Sequence, residues 1–119
     1  MSTSDAVSDA NSPHQREIDE QRLSEAASVF AMLADPTRLH LLWLLAQDEA
    51  DVGTLTERCS ASRTAVSQHL AKLRIAGLLV ARREGRHVRY RLVDGHLRRL
   101  VMEALSHADH RVTGAASHD

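Results

Sequence analysis

The hydrophobic period of this chain switches from helix to strand at Ala76-Gly77, and that switch bounds the folds open to it. Before it, apolar residues recur at three- and four-residue steps, as one face of a helix requires. After it, Val88, Tyr90 and Leu92 alternate with Arg89 and Arg91, the two-residue repeat of a half-buried strand. Leu78 to Arg83 and His87 to Leu92 therefore read as two strands joined across Glu84-Gly85-Arg86. This predicts a hairpin with arginines along one face and in its tip.

The helical part carries its own punctuation. A stripe of Leu23, Ala26, Ala27, Phe30, Leu33 and Ala34 begins near Ile18. Asp35-Pro36 ends that helix and opens the next, with Asp35 as N-cap and Pro36 at the first helical position. The second helix, Pro36 to about Ala46, holds Leu39, Leu41, Leu42, Trp43, Leu44 and Leu45 and is apolar nearly all round, so it is expected to be the most buried element. Val52 to Arg58 reads as a short helix. Ser62 caps a fourth from Arg63 to Ile75, which Ala76-Gly77 stops. Asp94 caps a last helix to about Ala108, with a stripe of Leu97, Leu100, Val101, Ala104, Leu105 and Ala108.

The expected fold is mainly α with a β-hairpin wing: a winged helix-turn-helix. A chain of 119 residues suffices for one such domain and not two. Phe30, Trp43 and Tyr90 are its only aromatics, so the core must be mostly Leu, Val and Ala. The first and last helices exceed what the module needs to close its core. Their spare stripes predict a homodimer through these two helices, with Leu97, Leu100, Val101, Ala104 and Leu105 as contacts. Residues 1–16 are expected to be a disordered tail, 17–110 the DNA-binding and dimerisation domain, and 111–119 a flexible tail.

Charge is distributed unevenly. The chain is close to neutral, at −1, yet residues 59–92 carry eight bases and one acid. Such a block is an electrostatic footprint for double-stranded DNA. The N-terminal part of a recognition helix enters the major groove, which points to Arg63, Thr64, Ser67 and Gln68, with His69 and Lys72 adjacent. Arg82, Arg83, Arg86 and Arg89 are the wing candidates, together with Arg91; strand neighbours alternate faces, so not all can reach DNA. No apolar run approaches the ~20 residues of a membrane span, and no signal-peptide pattern opens the chain. Cys59 is the only cysteine, which rules out a disulfide within the chain. A cytoplasmic location without membrane contact is expected.

The last helix also carries Asp94-x-His96 and His107-x-x-His110. Imidazole and carboxylate suit zinc, cobalt and nickel. At ~1.5 Å rise per residue, the two pairs lie roughly 16 Å apart along one helix, too far to share an ion. Two antiparallel copies bring the Asp94/His96 end of one to the His107/His110 end of the other, giving two equivalent sites per symmetric dimer. His118 and His14 are candidates for further donors, which would favour nickel over zinc. A hydrolytic zinc enzyme would need an open coordination position, a general base and a pocket, and no HExxH or comparable motif occurs.

The chain resembles the ArsR/SmtB family of metal-responsive repressors. The likeness is carried by Leu33-Ala-Asp-Pro-Thr-Arg-Leu39, Ser67-Gln-His-Leu-Ala-Lys-Leu-Arg74, Ala76-Gly-Leu-Leu-Val80 and the wing from Gly85 to Leu92. The Asp94-x-His96 and His107-x-x-His110 pattern matches the family's zinc/cobalt and nickel/cobalt sensors. The resemblance implies a metal-free homodimer on operator DNA, released by metal to derepress a metal-efflux or resistance gene. It also implies a backbone carbonyl near Gly77 as the partner of His107. Where many members place a Cys-x-Cys motif, this chain has Asp51-Val52-Gly53, so a thiolate sensor is not expected. Cys59 falls at a usually buried apolar position and is expected to pack like a small hydrophobe. The alternative reading is a winged-helix regulator with no metal response, or a redox response through Cys59.

Overall fold

A computed structural model describes residues 17–118, with side chains as far as Gly114. Its elements, in order, are α1 (Glu20–Leu33), α2 (Pro36–Gln47), α3 (Val52–Arg58), α4 (Arg63–Ile75), β1 (Leu79–Glu84), β2 (His87–Leu92) and α5 (Gly95–His118). The chain divides into two compact units between Ala31 and Met32. The first unit contains most of α1, whose first turn is capped by the Asp19 carboxylate accepting from the Arg22 backbone N–H at 2.7 Å. Leu23 and Phe30 on α1 are exposed.

In the second unit, short polar side chains start each helix. Asp35 accepts from the Arg38 backbone N–H (2.9 Å), Asp51 from Thr54 (2.9 Å), Ser62 from Ala65 (3.1 Å) and Asp94 from Leu97 (2.9 Å). Each satisfies a donor that the first helical turn cannot pair internally. The apolar α2 is central as expected, packing on α4, β2 and α5, with Leu41 and Leu42 fully buried. Leu55 of α3, Val66, Leu70 and Leu73 of α4 and Val101 of α5 are the other large side chains that are fully buried among the described residues.

The period change at Gly77 is a helix stop of the Schellman type. Gly77 takes φ 83°, its N–H donates to the Arg74 carbonyl at 2.9 Å, and the Leu78 N–H donates to the Leu73 carbonyl at 3.0 Å. Buried Leu78 and Leu73 supply the hydrophobic contact that accompanies this motif. Leu78 is thereby committed to the cap, which is why β1 starts at Leu79, one residue later than expected. The strands pair antiparallel from Leu79↔Leu92 to Glu84↔His87. Gly85 has φ 65° at the first central position of the two-residue turn, as a II′ turn requires, so Arg86 takes the second. Ala50 bonds to both backbone groups of Tyr90 (3.1 and 2.8 Å) and adds a single rung to the far edge of β2.

Two expectations about α5 are corrected. The helix does not end near Ala108; residues 111–118, read as part of a flexible tail, continue it. Gly114 is the weakest helix former there, and one glycine costs about 1 kcal/mol against alanine, too little to stop a helix this long. In addition, Leu97 (5% exposed) and Val101 (0%) are buried within their own protomer, where α5 packs on α2. Of the five residues expected at a dimer interface, Leu100 and Leu105 are half-buried and Ala104 exposed, so these three retain surface for a partner.

Candidate functional site

α4 buries Val66, Leu70 and Leu73 and turns Arg63, Thr64, Ser67, Gln68 and Lys72 to solvent. Its exposed N-terminal turns approach the wing across a cleft of about 250 Å³ lined by Asp51, Val52, Gly53, Arg63, Arg86, His87, Val88 and Tyr90. Two cationic side chains from different elements, Arg63 and Arg86, thus share one cleft. His69, adjacent to the exposed face of α4, is half-buried, with Nε2 4.0 Å from an Asp35 carboxylate oxygen. The Arg38 N–H, followed by the nearby charges of Arg38 and His69, holds the Asp35 carboxyl below the usual carboxylate range.

Four of the five wing arginines fall into two groups that no local pattern separates, and the fifth, Arg91, lies at the base of the wing with its guanidinium 3.5 Å from the Leu92 carbonyl oxygen. Arg82 donates to Glu49 at 2.7 Å and to Glu84 at 3.2 Å. Arg89 Nε lies 3.4 Å from the same Glu49 oxygen and 3.6 Å from Glu84. Arg83 and Arg86 are exposed and have no ion pair among the described residues. Glu49 is half-buried, and the Arg82 hydrogen bond holds its carboxyl below the ordinary glutamate range. On the same edge Asp51 pairs with His87 Nδ1 at 3.1 Å; the Thr54 backbone N–H, more than His87, lowers the Asp51 carboxyl. Glu49 was missed because its partners lie 33 and 40 residues away, and no local pattern announces them.

Asp94, His96, His107 and His110 are all exposed on or beside α5. No three His, Cys, Asp or Glu side chains among the described residues converge on a common point. This agrees with the helix-length argument: His96 and His107 are separated by eleven steps of a continuous helix, about 16 Å. The donor set fits a zinc-class ion chemically but is divided between two ends of one helix. The Asp94 carboxylate already accepts from Leu97 through one oxygen, and its other oxygen takes no hydrogen bond among the described residues. His96 Nδ1 lies 2.9 Å from an Arg99 guanidinium nitrogen, which can only donate. Among the described residues, His107 forms no hydrogen bond with a carbonyl near Gly77. His118 lies in the last turn of α5, and His14 lies outside the described residues. Cys59 is half-buried at the C-cap of α3.

Comparison with known proteins matches these features. Residues 35–80 fit the family described as "Bacterial regulatory protein, arsR family". The HTH-type transcriptional regulator KmtR of Mycobacterium tuberculosis is 47% identical over 90 residues, 76% of this chain and 69% of that protein. The HTH-type transcriptional repressor SmtB of the same species is 36% identical over 96 residues, 81% of this chain and 68% of that protein. A solved homodimeric winged helix-turn-helix DNA-binding domain, Mb0332 from Mycobacterium bovis, has a TM-score of 0.68 at 33% identity, covering 79% of this chain and 89% of that one. An exposed recognition helix beside a basic wing, within this degree of likeness, places the chain in the ArsR family: it is a winged-helix DNA-binding transcriptional regulator and not an enzyme.

Proposed function

We propose that the chain is a homodimeric, metal-responsive repressor whose metal-free form holds operator DNA. A divalent ion, zinc first and cobalt or nickel next, binds Asp94 and His96 of one protomer with His107 and His110 of its partner and lowers DNA affinity. The observation that carries this reading is the division of a four-donor set between the two ends of one continuous, exposed helix face, with no donor cluster within the chain among the described residues. Linkage requires that DNA weaken metal binding by the same factor. Thr64, Ser67 and Gln68 approach base edges, where Gln68 suits adenine and Arg63 guanine. A cytoplasmic location follows from the need to reach operator DNA, and a metal-efflux or resistance gene is the target that family analogy suggests. The redox reading is weaker: Cys59 has no second thiol in the chain to pair with.

Mixing two crippled variants tests the divided site. Asp94→Ala/His96→Ala and His107→Ala/His110→Ala each lose both sites as homodimers. In the mixed heterodimer both defects fall in one site and the other stays whole. Cobalt titration should recover one tight ion per heterodimer. Heterodimers that form yet bind no cobalt tightly would remove the divided site.

A further inference from the structure

We infer that Glu49 decides which arginines toward the wing tip meet DNA: with Glu84 it withholds Arg82 and Arg89, leaving Arg83 and Arg86 as the phosphate contacts there, while Arg91 lies at the base of the wing outside this group. Glu49 is held where this requires. The Ala50 backbone is bonded to Tyr90 in both directions, which fixes its neighbour Glu49 beside the face of β2 that carries Arg89. Arg82 and Arg89 are register partners on adjacent strands, so without acids the hairpin would set two like charges directly opposite each other. One Glu49 oxygen reaches both, at 2.7 Å and 3.4 Å, and Glu84 closes the group from the turn side at 3.2 Å and 3.6 Å. Two arginines are matched by two carboxylates, so the group offers a phosphate no net positive charge.

A phosphate approaching Arg82 or Arg89 must share a guanidinium with a half-buried carboxylate that repels it. Arg83 and Arg86 impose no such competition, and Arg86 also faces Arg63 across the cleft. Glu49 is therefore a positioning residue for DNA binding. It sets how many phosphates the wing neutralises.

The salt dependence of binding counts those phosphates, at about 0.9 of slope for each contact on duplex DNA. Measured on metal-free full-length protein, Arg86→Ala and Arg83→Ala should each flatten the slope by about 0.9. Arg82→Ala should leave it unchanged. Glu49→Gln, which keeps the shape and removes the charge, should steepen it by about 0.9, making affinity fall about threefold more between 50 and 200 mM salt. In the Glu49→Gln background, Arg82→Ala or Arg89→Ala should return the slope to wild type. Circular dichroism and thermal melting confirm that each variant is folded, and a purely bracing role for Glu49 would change the melt without steepening the slope. An Arg82→Ala slope as flat as that of Arg86→Ala, or a wild-type slope for folded Glu49→Gln, would overturn the assignment.

Discussion

Arg99 donates to His96 Nδ1 at 2.9 Å, so a cation already stands where a metal would draw on the same ring. A metal-ligating histidine is normally held through its other nitrogen by an acceptor, and arginine offers only donors. Metal binding at His96 must displace the guanidinium or work against its charge. A divalent ion and a unit charge about 8 Å apart in water repel by ~1 kcal/mol, so Arg99→Ala should raise cobalt affinity about fivefold. Competition titration against a chelator measures this directly, and an unchanged constant would mean that Arg99 and the ion do not compete. Asp94 shows the opposite economy: one oxygen caps α5 through Leu97 while the other takes no hydrogen bond among the described residues, so helix start and ligand are compatible roles for a single carboxylate.

At the scale of elements, the α4–β1 junction carries most of the geometry of the DNA-binding face. Gly77 takes φ 83°, and its N–H and that of Leu78 satisfy the last carbonyls of α4. An added Cβ at Gly77 meets no atom within 4 Å, so crowding does not penalise a substitution; the left-handed backbone does. Gly77→Ala should destabilise the protein by about 1–2 kcal/mol. Urea unfolding with an unchanged m-value would register this as a lower midpoint. A midpoint equal to wild type would show that the chain leaves α4 by another route. The same junction explains the one-residue shift in β1, because Leu78 serves the cap before the strand begins.

For the whole molecule, the proposed dimer would rest on what α5 has left after closing its own core. Leu97 and Val101 are inside the protomer, whereas Leu105 is half-buried and Ala104 exposed. A glutamate at position 105 would carry an unpaired charge into a dimer contact, a cost of several kcal/mol. Leu105→Glu is expected to sediment as a folded monomer and to lose tight cobalt binding, since each half-site then lacks its complement. A dimer that keeps both properties would put the interface elsewhere. The sequence stripe on α5 was legible, but its division was not. A wide apolar stripe says that a helix buries surface and leaves open whether its own domain or a second copy covers each position.

What the sequence by itself determined is the part governed by short range. The caps at Asp35, Ser62 and Asp94, the stop at Gly77, the turn at Gly85 and the near-complete apolarity of α2 each depend on residues within a turn or two of one another. The too-wide spacing of Asp94/His96 from His107/His110 belongs with them, because helical rise converts a residue count into a distance. The cap at Asp51 is equally local: its carboxylate accepts from the Thr54 N–H three residues on. Tertiary structure alone decided the rest. It set Glu49 against Arg82 and Arg89, turned His69 toward Asp35, and committed Leu97 and Val101 to the core against α2. Those outcomes depend on elements far apart in the chain being packed together, and charge composition cannot reveal them: a count of eight bases in residues 59–92 does not say which of them an acid from outside that block has already neutralised.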